Sequence, residues 1–189
     1  MTKRITISTL DAMKASGDKF VMITAYDATF ARLASEAGAE TILVGDSLGM
    51  VLQGHETTIP VSLDAMAYHT ECVARARPHS LIVADLPFMS FSNSDDTLHA
   101  STRLMQAGAQ MVKLEGGTWL SDSIHRLVER GVPVCAHLGL TPQSVNVFGG
   151  YRVQGRTPKE AKSILADAVG IQDAGASLLV LECIPAELA

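Results

Sequence analysis

Three stretches of the chain repeat one plan: AGAETILVGD (Ala37–Asp46), AGAQMVKLEG (Ala107–Gly116) and AGASLLVLEC (Ala174–Cys183). Each has a glycine where a helix stops, a tight turn, an apolar run and a carboxylate at or just past the run's end. GVPVCAH (Gly131–His137) follows the same plan but ends in His137. With their neighbours these give six apolar runs, at Phe20–Ala25, Thr41–Gly45, Leu81–Asp85, Met111–Glu115, Val132–His137 and Leu178–Glu182. The runs do not alternate apolar with polar residues, so they are predicted as strands buried on both faces of a parallel sheet.

Between the runs lie residues at helical spacing. Phe30, Leu33, Ala34 and Ala37 form one such face, Leu120, Ile124, Leu127 and Val128 a second, and Ala161, Ile164, Leu165, Ala168 and Ile171 a third. Each is expected to lie on the sheet. Thr157, Pro158 and Glu160 supply an N-cap, an N1 proline and the N3 acid of a capping box. Strand and helix alternate with no reversed hairpin, which leaves a (β/α) barrel or an open doubly wound sheet. Asp46, Asp85, Glu115, His137 and Glu182 fall at or just after the C-terminal ends of different strands. Those ends converge on one mouth in a barrel and spread along a line in an open sheet, so the α/β class is expected to be a TIM-type (β/α)8 barrel with about six of its units in this chain.

The 189 residues are 47% hydrophobic with a mean hydropathy of +0.21 and no linker-like stretch, which predicts a single domain over 1–189. Net charge is -5, and no basic cluster exceeds the Arg75–Arg77 neighbourhood, so neither nucleic acid nor an anionic membrane is expected as a partner. The basic start MTKRITISTL leads into no apolar signal region, and no stretch reaches membrane-spanning length, so a cytoplasmic enzyme acting on a small molecule is expected. Cys72, Cys135 and Cys183 are odd in number and far apart, which disfavours disulfides and thiolate metal sites and leaves buried structural thiols as the expectation.

Carboxylates without thiolates suit a hard cation, Mg²⁺ before Mn²⁺ or Ca²⁺, placed near Asp46 and Asp85. Lys113 stands two residues before Glu115, so by strand alternation both point to the same side. It is either a buried counter-ion or a cation for a substrate carboxylate or oxyanion. A Schiff-base role would need a depressed pKa, which the adjacent acid opposes. His137 could donate to a bound oxygen or be a satisfied structural histidine. His69, His79, His99 and His125 are expected at the surface. FGGYRVQGR (Phe148–Arg156) is expected as a loop that moves over the mouth, and GDSLGMVLQGHETTIP (Gly45–Pro60) as a long glycine-bearing loop.

TAYD (Thr24–Asp27), VGDSLGMVLQGH (Val44–His55), ADLPFMSF (Ala84–Phe91), VKLEGG (Val112–Gly117), HLGLTPQSVNVFGGYRVQGR (His137–Arg156) and LLVLECIP (Leu178–Pro185) closely resemble the ketopantoate hydroxymethyltransferase family. Six long motifs in order are far more specific than any one glycine pattern. The resemblance implies a (β/α)₈ barrel, transfer of a one-carbon unit from 5,10-methylenetetrahydrofolate to 3-methyl-2-oxobutanoate, Mg²⁺ as metal, and a large ring-type homo-oligomer. By motif it assigns Asp46, Asp85 and Glu115 to the metal, and Asp46, Ser47, Asp85, Lys113 and His137 to the substrate. Glu182 is assigned as general base, with burial expected to raise its pKa. It also implies two further βα units, so a truncated or cleaved form is expected. The alternatives are another Mg²⁺-dependent 2-oxo acid lyase, for which no KKCGH-like motif is present, a Schiff-base aldolase, or an inactive fragment.

Overall fold

The computed structural model describes residues 4–189; Met1–Lys3, part of the basic start, lie outside the described residues. Six strands form one sheet: β1 (Met22–Thr24), β2 (Thr41–Val44), β3 (Leu81–Asp85), β4 (Met111–Glu115), β5 (Val134–Gly139) and β6 (Leu178–Glu182). Their spatial order is their order in the chain, and every pairing is parallel. A doubly wound sheet reverses its strand order at a switch point; strictly sequential parallel pairing is instead the wall of a barrel. The sheet curls as such a wall, with β1 and β6 as its two edges.

The helices are α1 (Ile7–Ser16), α2 (Ala28–Glu36), α3 (Leu48–Val51), α4 (Leu63–Arg75), α5 (Ser94–Gln106), α6 (Ser121–Glu129), α7 (Val145–Phe148) and α8 (Pro158–Asp173). The pleat sorts alternate residues into two cores. Ile42, Val44, Ile82, Ala84, Val112, Leu114, Val134 and Ala136 pack outward against Met66, Leu104, Ile124 and Leu127 of the helical layer. Leu81, Val83, Met111 and Cys135 point inward, joined by Leu43, Leu178 and Val180, and Leu10 of α1 packs among them. Continuing the inward phase gives Asp85 after Val83, Lys113 and Glu115 after Met111, His137 after Cys135 and Glu182 after Val180. One periodicity therefore carries the apolar interior at one end of the strands into a polar rim at the other.

Burial on both faces holds for β2 to β5. It fails for β1 and β6, which leave Ile23, Leu179 and Leu181 exposed because each edge strand has a neighbour on one side only. The helical faces are also narrower than their spacing implies. In α2 the small Ala31 and Ala34 are buried, allowing close approach to the layer beneath, while Phe30 and Leu33 face outward. Leu165 and Val128 are exposed likewise. Gly45–Pro60 is not all loop, since α3 forms within it. The Thr157 capping box forms as expected, with Pro158 at the start of α8. Cys135 is buried, but Cys183 is exposed in the turn beyond β6, against the expectation for all three thiols. His69 is half-buried, its Nδ1 2.8 Å from the Tyr26 carbonyl oxygen and its ring edge-on to Tyr26 and Tyr68, whereas His79, His99 and His125 are exposed.

Candidate active site at the strand C-termini

Register sets the first contacts. Asp85 pairs with Lys113 across β3 and β4, and Glu115 with His137 across β4 and β5. Lys113 Nζ donates to Asp85 Oδ1 at 2.7 Å, with both side chains 5% exposed. The other Asp85 oxygen, Oδ2, accepts from the Asp46 backbone N–H at 3.1 Å. Gly45 permits this approach: a Cβ there would stand 2.8 Å from Ser47 Oγ and 3.4 Å from Asp85 Oδ2. Ser47 Oγ in turn is 2.9 Å from the Tyr26 hydroxyl.

Glu115 is engaged at both oxygens. Oε1 lies 3.2 Å from His137 Nδ1, and Oε2 accepts from the Gln143 backbone N–H at 3.0 Å. On the far side of the imidazole, His137 Nε2 is 3.3 Å from Glu182 Oε2. That contact has ion-pair distance without hydrogen-bond alignment, so Nε2 is a buried nitrogen with no hydrogen-bond partner among the described residues. Glu182 itself is not buried as expected: its side chain is 41% exposed, because β6 is an edge strand.

Three buried acids and one buried amine make the pocket anionic. Asp46 shows the consequence, its pKa pushed up to about 7 by burial first and by Asp85 and Glu115 next, against the opposing pull of Lys113. Burial alone would lower the Lys113 pKa, but Asp85 and Glu115 outweigh it and hold the ammonium protonated. His137 is also raised: burial, the largest effect, works against the charged form, and the Glu115 and Glu182 carboxylates overcome it. Cys135, on the inward face below, has its thiol pushed up to about 12 by burial and carries no nucleophilic character.

Asp46, Ser47, Asp85, Lys113, Glu115, His137 and Glu182 all line one cavity of about 310 Å³. Every residue singled out from the sequence is therefore brought together. Thr58, Met50 and Tyr151 also line it, the last from the glycine-rich segment after α7, and Tyr151 Oη reaches Met50 Sδ at 3.5 Å. Thr58 carries a second buried unpartnered atom, Oγ1. Sequence reasoning missed Gln143, which is buried and donates through Nε2 to Asp46 Oδ2 at 2.8 Å and to the Leu86 carbonyl at 2.9 Å. Its place inside the long HLGLTPQS motif was the one available signal. Among the described residues no set of three or more His, Cys, Asp or Glu side chains forms a ready metal cage. Two carboxylates do not need one, since Mg²⁺ commonly takes one or two protein oxygens and completes its shell with water and substrate.

A curled parallel sheet in sequential order, with carboxylate oxygens and a buried amine gathered at its C-terminal rim, defines an α/β protein of half-barrel form with a charged cavity at one end of its strands. The chain belongs to the ketopantoate hydroxymethyltransferase family, whose model matches residues 4–189. It is 55% identical over 188 residues to 3-methyl-2-oxobutanoate hydroxymethyltransferase of Saccharophagus degradans, covering 100% of this chain and 70% of the relative. The same-named protein of Colwellia psychrerythraea is 60% identical over 185 residues, covering 98% and 70%. Among solved structures, phosphonopyruvate hydrolase in complex with oxalate and Mg²⁺ superposes with TM-score 0.70 at 16% identity, covering 93% of this chain and 62% of that one. 2,3-Dimethylmalate lyase, of the PEP mutase/isocitrate lyase superfamily, gives 0.68 at 18% identity, covering 98% and 64%. At such identities these two share the fold, and the chain spans less than two thirds of their length.

Proposed function

We propose that the rim site works in the transfer of a one-carbon unit from 5,10-methylenetetrahydrofolate to 3-methyl-2-oxobutanoate, giving 2-dehydropantoate by way of an enolate. The observation that carries this reading is the single cavity lined at once by Asp46, Ser47, Asp85, Lys113, Glu115, His137 and Glu182. Mg²⁺ fits the residues present: the donors are carboxylate oxygens, and their excess negative charge, seen in the raised Asp46 pKa, is what a dication would relieve. Asp46 and Asp85 would hold it, with Glu115 beside them; a structural neighbour solved with oxalate and Mg²⁺ supports the pairing of this rim with a two-oxygen chelating acid. When bound, the metal would supply Lewis acidity, drawing charge from the 2-oxo group and acidifying the neighbouring C3–H.

The chain's own residues do the rest. Lys113, kept protonated, offers positive charge to the substrate carboxylate or to the oxygen that gains charge as the enolate forms. The same protonation disfavours a Schiff-base role for it. His137 Nε2, unpartnered and next to Glu182, is free to donate to a substrate oxygen. Glu182 removes the C3 proton, and its partial exposure gives that proton a route to solvent. An adjoining apolar cavity of about 160 Å³, where Phe91 and Trp119 stack with centroids 6.2 Å apart, suits the flat ring system of the folate.

The curled sheet is read as the larger part of a (β/α)₈ barrel in a single domain over 1–189; that β1 and β6 are edge strands among the described residues supports this reading. A cytoplasmic ring-type homo-oligomer completes the reading; among the described residues no helix is long and apolar enough to cross a membrane. The test is Mg²⁺-dependent exchange of the C3 deuteron of 3-methyl-2-oxobutanoate, followed by NMR without folate. Exchange that needs Mg²⁺ supports the assignment. A folded chain that exchanges no deuteron, beside a full-length relative that does, favours an inactive fragment.

A further inference from the structure

Resting on that reading of the metal site, we infer that Gln143 is the positioning residue that aims Asp46 at the cation. Its side-chain amide has two N–H bonds, and both are used: Nε2 donates to Asp46 Oδ2 at 2.8 Å and to the Leu86 carbonyl oxygen at 2.9 Å. The Leu86 carbonyl belongs to the backbone just past β3 and acts as the fixed end of the brace. The first N–H then ties up one specific oxygen of Asp46. Among the described residues no donor reaches the other oxygen, Oδ1, while the Asp46 side chain lines the cavity.

The brace reaches a third strand as well. The backbone N–H of Gln143 donates to Glu115 Oε2, so one residue links the rims of β2, β3 and β4. It is itself 6% exposed, and Pro142 before it begins the 3₁₀ turn Pro142–Ser144 that follows β5. A carboxylate that must bind a cation with one oxygen loses rotational freedom if the other is already held. Hydrogen bonds to metal ligands commonly carry a 10- to 100-fold share of metal affinity for this reason. Glutamine suits the task because it donates without adding charge to a cavity already lined by four acids, Asp46, Asp85, Glu115 and Glu182. Glutamate at 143 would put a further carboxyl against Asp46, beside Asp85 and Glu115.

The experiment measures binding of Mn²⁺ alone, by its electron paramagnetic resonance signal, to the wild-type chain and to Gln143→Met. Methionine keeps the length and bulk of the side chain and leaves the backbone bond to Glu115 intact. The expected result is binding by the wild type and roughly 10-fold or greater weakening in the variant, with the circular dichroism spectrum unchanged. Equal Mn²⁺ affinity in a folded Gln143→Met chain overturns the role of Gln143 while leaving the metal site standing. A wild type that binds no Mn²⁺ overturns both. Should the variant fail to fold, the wild type still decides. The Gln143 side-chain amide protons are expected to be protected from solvent exchange and their resonances to shift on Mg²⁺ addition. Unprotected protons that ignore Mg²⁺ refute the brace.

Discussion

Replacing Lys113 by methionine removes the one buried ammonium among the described residues, at nearly constant volume. In the native chain its Nζ stands 2.7 Å from Asp85 Oδ1, and both side chains are 5% exposed. Without it, Asp46, Asp85 and Glu115 share a buried pocket with no fixed cation. Breaking a buried pair by removing one partner typically costs about 3–5 kcal/mol, most of it the penalty of the stranded charge. With a urea m-value of about 2 kcal/mol/M, that moves the metal-free unfolding midpoint down by roughly 1.5–2.5 M. The assay is urea unfolding in the presence of a chelator near neutral pH, followed by circular dichroism. Two controls isolate the charge. Mg²⁺ is expected to restore much of the lost stability, and Lys113→Met combined with Asp85→Asn is expected to be less destabilised than the two single changes summed. A single variant that loses less than about 0.5 kcal/mol, or a pair whose effects simply add, refutes the argument that this ion pair holds the rim together.

Three further outcomes follow from the same geometry. Asp46 is raised above its ordinary value to about 7, and His137 is raised too, so the folded state binds protons that the unfolded state releases. Their contribution to stability is present at acid pH and lost as pH rises through the folded values; metal-free chain should therefore unfold more easily near pH 8 than near pH 5, by about 2.5 kcal/mol from Asp46, and Mg²⁺ should flatten the difference. A metal-free stability that climbs over this window contradicts the assignment. Glu182→Gln is expected to slow C3 deuteron exchange by about 100-fold or more while leaving Mn²⁺ binding and the urea midpoint nearly in place, because the side chain is half-exposed and touches the network only through His137 Nε2 at 3.3 Å. Gly139→Ala should cost about 2 kcal/mol or more, read from thermal unfolding: Gly139 has φ of +86°, and a Cβ there would lie 2.2 Å from the Glu182 carbonyl oxygen. An alanine variant of wild-type stability would mean that β6 can move away from that contact.

The inner strands and the gathering of the rim side chains at one cavity were legible in the sequence, because both follow from short-range periodicity. Alternation puts Lys113 and Glu115 on one side of β4, and parallel register brings Asp85 and His137 beside them without any long-range knowledge. What depended on which elements have neighbours was less legible. Phe30 and Leu165 sit at helical spacing with core residues yet remain outside, and Glu182 ends an apolar strand yet is half-exposed, because α2, α8 and β6 lie towards the two edges of the sheet. Gln143 escaped for another reason. An uncharged amide has no pattern of its own, and its role exists only where the rims of β2, β3 and β4 meet.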